Sequence, residues 1–509
     1  MSITLIMLLV FCAITIAIGF ATRRGNDSVN QFVLGGRSIG PWLSAFAYGT
    51  SYFSAVVFVG YAGQFGWKFG ISAVWIGIGN AFIGSLLAWV VLARRTRLIT
   101  RHLDSKTMPD LFGTRFNSKN LKLAASVVAF VFLIPYTASL FNGLSRLFSM
   151  AFNIDFIWCI LAMAVLTAIY VIAGGYTATA VNDFVQGFIM IGGIIAIIAA
   201  MLRINGGFMG SLAALSQVTD EAASANPGAF ASFFGPDPIN LLGVVLLTSL
   251  GTWGLPQMVQ KFYSIKTEKN ITTGTVVSTV FAVVIAGGCY FLGGFGRLFS
   301  VDVAKQGFDA VIPTMLSNFS PVFIGIAIVV VFAASISTLS SLVMNCSSTL
   351  TLDFLKDNFI KEMDEKRKLF LIRVFIGVFI VISSALAIFQ SKSAVTFIAQ
   401  MMGISWGALA GAFLAPFLFS LYWKRVTKQA VAVNFAFSVT IMVLNILVKS
   451  SFPAILQSPI NCGAFAMLAG FVIVPVASAF TKKPDAELVA HCFSCFDEVA
   501  PAPKKRHLA

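Results

Sequence analysis

The chain has 509 residues, of which 58% are hydrophobic and 11% charged, too apolar a composition for a soluble globular protein. Its formal charge of +15 does not point to nucleic acid, because the positives stand in short clusters between apolar runs, the topology signal of a membrane protein. Seven dispersed cysteines give no disulfide framework, and the alternating ten-residue segments of a β-barrel do not appear.

An all-α membrane protein is therefore expected, its partner the lipid bilayer of the cell membrane. At roughly 20 apolar residues per crossing, the sequence predicts about thirteen transmembrane helices. They start near Ile3, Pro41, Ile71, Leu121, Phe156, Asp183, Ile239, Thr272, Pro321, Phe370, Ala394, Gln429 and Ile460. The first, over residues 3–22, reads as a span rather than a signal peptide. It lacks a basic n-region, its apolar run is long, and Arg23 and Arg24 follow it. Residues 1–481 form the membrane domain, with core repeats over about 41–203 and 239–421 and two further spans over about 429–480.

Charge orients these spans. With the N-terminus outside, the cytoplasmic loops hold Arg23, Arg24 and Arg37, the cluster from Arg94 to Lys122, Lys261, Lys266 and Lys269, the group from Lys356 to Lys368, and Lys424 to Lys428. The opposite loops hold only Lys68, Arg203, Arg297, Lys305, Lys392 and Lys449. This asymmetry predicts an outside N-terminus and a cytoplasmic C-terminus. Trp42, Trp67 and Trp423 at span ends fit interface belts.

Polar or helix-breaking residues at mid-membrane are the functional clues. The second span, "GPWLSAFAYGTSYFSAVVFVGYAG", places Gly49, Thr50 and Ser51 near its centre. It reads either as a kinked helix packed through small residues or as an unwound one whose freed carbonyls bind a cation. The sixth opens "YTATAVNDFVQGFIMIGG", with Asp183 about one turn in, as a helix cap or as an ion ligand. The seventh, "LLGVVLLTSLGTWGLPQMVQKF", has Gly251, Gly254 and Pro256 at mid-span, where proline removes a donor and breaks the helix. Counted from the second span, the seventh is sixth of ten. Breaks at corresponding positions of two five-helix halves mark an inverted repeat.

The ninth span carries "FAASISTLSSLVMNCSSTLTLDF". Ala334, Ser337, Thr338 and Ser341 fall at i, i+3, i+4, i+7 and share one face, with Ser340 beside them. Single hydroxyls in membrane helices usually bond their own i−4 carbonyl. Several on one face, opposite a broken helix, suit a hard cation, which prefers oxygen to sulfur or imidazole.

The tail, residues 482–509, is polar and expected to be poorly ordered. It includes a single CxxC, Cys492 and Cys495, beside His491, where a zinc site usually has two such pairs. No catalytic His/Asp/Glu cluster, P-loop or hydrolase signature is present, which argues against an enzyme. With no ATP-binding domain, uphill transport would run on an ion gradient.

Together, "GGRSIGPWLSAFAYGTS", "AGGYTATAVNDFVQ" and "AASISTLSSLVMNCSSTLTLDF" resemble the sodium/solute symporter family, and the resemblance covers essentially the whole chain. It implies the inverted five-helix repeat of the bacterial leucine transporter and sodium as the coupling ion. It also implies a sodium site made by the carbonyls of Thr50, Phe53 and Ala334 and the hydroxyls of Ser337 and Thr338. A second sodium, as in some members, would fall to Asp183, Ser337, Ser340 and Ser341. Within the family the chain is most similar to the sodium/proline symporters, and Tyr136 matches a substrate-contacting tyrosine there. It departs from them at Tyr52, where they have aspartate, and at Thr248 and Thr252, where they have aromatics. Tyr48, Tyr52, Tyr136, Thr252, Trp253 and Gln257 are the substrate candidates. The implied activity is sodium-coupled import of a small organic solute, an amino acid such as proline first, then a monocarboxylate, pantothenate or a sugar. A proton-coupled carrier using Asp183 is the alternative. Nothing in the pattern fixes an oligomeric state.

Overall fold

The structure, a computed structural model, describes residues 3–22, 27–204, 206–220, 224, 226–360, 362–391 and 398–497. Arg23, Arg24, Lys361, Lys392, the helix start near Ala394 and the tail beyond residue 497 lie outside the described residues. Among the described residues, eleven helices are long and apolar enough to cross a membrane. Two are too long for one crossing. Phe156–Ile204 has 49 residues, about 74 Å at the helical rise, against a hydrocarbon core of about 30 Å. It reverses at Gly175, whose φ of 59° and ψ of −158° suit glycine alone. Val56–His102 turns at Gly70, φ 62°, where a side chain would collide with the Phe230 carbonyl. Divided at these glycines, the eleven give thirteen segments, of which residues 56–69 are long enough to cross only together with Pro41–Tyr52.

The turn at Gly175 corrects one expectation. The sixth crossing starts near Tyr176, so Asp183 lies about two turns inside a helix and is fully buried. It is not an N-cap.

Two helices are interrupted. Pro41–Tyr52 ends where Phe53 turns extended, φ −101° and ψ 111°, and helical structure resumes at Ala55. The Ser54 hydroxyl accepts from the Val56 N–H at 3.2 Å, capping the new start. The expected break at Gly49 is thus displaced to Phe53 and Ser54. Gly49 is helical, and its carbonyl still accepts the Phe53 N–H at 3.3 Å. Its smallness serves packing, since a Cβ there would lie 2.5 Å from the Phe281 ring. The second interruption separates Pro238–Gly251 from Pro256–Tyr263. Leu255 is extended, as a residue preceding proline prefers.

Pro321–Thr349 packs on Phe156–Ile204 and against Pro41–Tyr52. From Ala327 to Thr349 it is buried throughout, so its hydroxyls face protein rather than lipid. The tail departs from its expectation. Residues Ala486–Asp497 form a helix with Val489, Cys492 and Phe493 buried. The Arg115 guanidinium lies 5.0 Å above the Phe493 ring, and Arg95 lies 4.6 Å from Phe496. An apolar stripe under two arginines folds a segment whose overall composition reads as polar.

Candidate functional site

The break after Tyr52 and the hydroxyl face of Pro321–Thr349 meet in the protein interior. The Ser337 hydroxyl donates to the Thr50 carbonyl at 2.8 Å and lies 3.0 Å from the Ala334 carbonyl. The Thr338 hydroxyl lies 3.3 Å from the Thr50 carbonyl, 3.4 Å from that of Ser51 and 3.1 Å from that of Ala334. Ser337, Thr338 and Thr50 are fully buried and Ala334 nearly so. Four of the five expected sodium ligands are therefore gathered. Phe53, the fifth, ends its helix in an extended state, which rotates its carbonyl out of the helical ladder.

The oxygens are neutral, close and clustered. A hard cation with ligands at about 2.4 Å, the range seen for calcium, sets neighbouring oxygens about 3.4 Å apart. The observed separations of 2.8–3.4 Å need only a few tenths of an ångström of expansion. The hydroxyl protons would rotate outward, presenting lone pairs to the ion.

The other expected cation group looks different. Ser341 Oγ lies 2.8 Å from Ser51 Oγ, and the Ser340 hydroxyl donates to the Ile336 carbonyl. Between Ser341 and Asp183 sits an ammonium. Lys261 Nζ donates to Ser341 Oγ at 2.8 Å, stands 3.9 Å from Asp183 Oδ2, and lies 5.1 Å from the centre of the Tyr176 ring. Lys261 was grouped with the cytoplasmic loops by charge. It belongs instead to Pro256–Tyr263 and is 2% exposed.

The substrate candidates divide into two sets. Tyr48 and Thr252 donate to the Gly84 carbonyl at 2.7 and 3.1 Å, and the Trp253 indole to that of Ile83 at 3.0 Å. Tyr52 donates to the Thr248 carbonyl. Tyr48, Thr252 and Trp253 thus fasten the break regions to the third crossing, and Tyr52 ties the first broken helix to Pro238–Gly251, the helix before the second break. Tyr136 instead meets Trp406 edge-on, with ring centres 5.8 Å apart, and Tyr52 stacks on the same indole at 5.9 Å. Gln257 is 1% exposed, and its amide has no hydrogen-bond partner. An unsatisfied buried amide asks for a polar partner.

Trp406, Asn80 and the buried place of Lys261 were missed by sequence reasoning. Asn80 Oδ1 accepts from Thr248 and Ser249 at 2.9 and 3.2 Å. A tryptophan at mid-span in "GISWGALAGAF" and an asparagine in "GIGNAF" were signals of the same kind as those used. At the tail, among the described residues, no three His, Cys, Asp or Glu side chains gather to hold a metal. The His102 ring donates to the His491 carbonyl at 2.8 Å. Burial pushes the Cys492 thiol above its usual pKa, which disfavours the thiolate that a metal needs.

A family model described as the sodium:solute symporter family matches residues 32–434. A sodium/proline symporter of Staphylococcus aureus is 29% identical over 503 residues, covering 95% of this chain and 94% of that one. One from strain JH9 is 30% identical over 505 residues with the same coverage. Among solved structures, a substrate-bound, outward-open sodium-coupled sialic acid symporter matches with a TM-score of 0.75 at 15% identity, over 95% of this chain and 98% of that one. A nucleobase-cation-symport-1 family transporter in a closed conformation matches with a TM-score of 0.52 at 12% identity, over 93% and 99%. At those identities the likeness is one of fold, the leucine-transporter-like inverted repeat.

Proposed function

The chain belongs to the sodium:solute symporter family, whose members are carriers rather than enzymes and take sodium as coupling ion, and from that premise we propose that it imports a small organic solute by alternating access. An amino acid such as proline is the leading substrate. The alternative of a proton-coupled carrier using Asp183 gives way to sodium coupling.

The observation that carries the reading is the meeting of the Thr50 and Ala334 carbonyls with the Ser337 and Thr338 hydroxyls. Sodium held there, with the Phe53 carbonyl completing the set, bridges a broken helix to an intact one. Bridging favours the conformation in which both are close, so sodium shifts the population toward a state with an ordered substrate site. Substrate binds beside the breaks, against Tyr136, Trp406 and Gln257. Sodium and substrate then raise each other's affinity by the same factor. The N-terminus lies outside and the C-terminus in the cytoplasm in this reading, and the inward sodium gradient drives import, with an inside-negative potential adding about 2.3 kcal/mol per charge per 100 mV. Asp183, Ser337, Ser340 and Ser341 are the residues to which a second cation would fall.

Uptake of radiolabelled metabolites into proteoliposomes, with proline first, then a monocarboxylate, pantothenate and a sugar, tests the proposal. One compound should accumulate under an inward sodium gradient and stop when the gradient is collapsed. Accumulation that persists without sodium would reject it.

A further inference from the structure

We infer that Lys261 is a resident cation that occupies the second cation group in place of a second sodium, so that the carrier moves one sodium per cycle. The inference rests on the reading that sodium is the coupling ion. Its evidence is separate from the first sodium site and comes from the contacts of Lys261.

A carboxylate inside a membrane protein needs a positive partner. Asp183 is fully buried, and the partner it faces is the Lys261 ammonium at 3.9 Å. The same ammonium donates to Ser341 at 2.8 Å and lies near the face of Tyr176. A second sodium would require the Asp183 carboxylate and the Ser341 oxygen as ligands; the Ser341 oxygen accepts from the lysine, and the carboxylate stands within ion-pair range of it. A second positive charge there would have to displace the first, and Lys261, 2% exposed, has no watery exit.

The placement also links three elements. Lys261 belongs to the segment after the proline break, Asp183 to the sixth crossing and Ser341 to the hydroxyl helix. Through the 2.8 Å contact of Ser341 with Ser51, the group touches the residue after Thr50. An ammonium held here supplies one fixed positive charge beside Asp183, leaving the Thr50 site as the one place where sodium enters and leaves.

The test is equilibrium binding of radioactive sodium to the purified full-length protein, counted per chain. The wild type should bind one sodium, and Ser341→Ala should leave that count unchanged. Lys261→Ser, which removes the ammonium and leaves a hydroxyl beside Asp183, should bind two. The double variant Asp183→Asn/Lys261→Ser should return to one. A wild-type count of two, falling to one in Ser341→Ala, would overturn the inference while leaving the first site standing. So would one sodium in a Lys261→Ser protein that remains monodisperse on size exclusion. If Lys261→Ser does not fold, the wild-type and Ser341→Ala counts decide alone. No sodium on the wild type would overturn the sodium-site reading and this inference with it, and is thereby told apart from a count of two.

Discussion

Ser337 has two carbonyls within reach and Thr338 three, in each case from two different helices, which separates them from hydroxyls that merely satisfy their own turn. Ser335, Ser347 and Ser348 do the latter, donating to Val331, Val343 and Met344 at 2.6–2.8 Å. The i, i+3, i+4, i+7 spacing was enough to pick out the face that meets the broken helix, because helix geometry fixes which hydroxyls point together. It could not identify Lys261. A lysine near other basic residues reads as a loop charge, and only tertiary packing shows that its partners lie on two other helices. Gly49 illustrates the reverse error, a glycine taken for a hinge that is a packing site. Gly49→Ala should gain about 1 kcal/mol of helix propensity but lose about 1–3 kcal/mol to overpacking. The Phe281 ring it would strike is itself held against Phe46 and cannot swing freely. A lower melting temperature in detergent is expected, and an unchanged or raised one would show that the ring yields.

The two breaks were unequally legible as elements. Pro256 announces the second, because proline cannot continue the hydrogen-bond ladder. The first comes from Phe53 and the capping Ser54, in a stretch with no proline, and its position depends on contact with the hydroxyl helix. The far end of that helix is tied as well. Lys122 Nζ sits 2.8 Å from Asp110, 3.3 Å from Asp353 and 2.7 Å from Asp357, and Thr107 donates to Asp353. Removing the lysine would leave three carboxylates facing one another. Breaking a largely buried pair in this way typically costs about 3–5 kcal/mol. Lys122→Met should therefore lower the melting temperature, and Lys122→Met/Asp353→Asn should recover part of the loss. Equal melting of wild type and Lys122→Met would show that the cluster is too hydrated to hold the helix. The tail helix was illegible for a simpler reason. Its apolar positions, Leu488, Val489, Cys492, Phe493 and Phe496 among them, are flanked by the charged residues of the tail, and they pack as a stripe only against Arg95 and Arg115.

At the scale of the whole molecule, the apolar runs marked an all-helical membrane protein and two interrupted helices pointed to the repeat, since membrane burial makes both costly to disguise. The substrate was less legible. Four of the six candidate side chains spend their hydrogen bonds on the scaffold, leaving Tyr136 and Gln257, with Trp406, as the groups nearest to recognition. Alternating access then depends on whether an ion at Thr50, Ala334, Ser337 and Thr338 holds a broken helix against an intact one. The most direct measurement is a titration of radioactive sodium binding to the wild type and to Ser337→Ala/Thr338→Ala. Loss of two hydroxyl ligands, at about 1–1.5 kcal/mol each, should raise the half-saturating sodium concentration at least tenfold while the protein stays folded. Binding of the same affinity in both proteins would contradict the account.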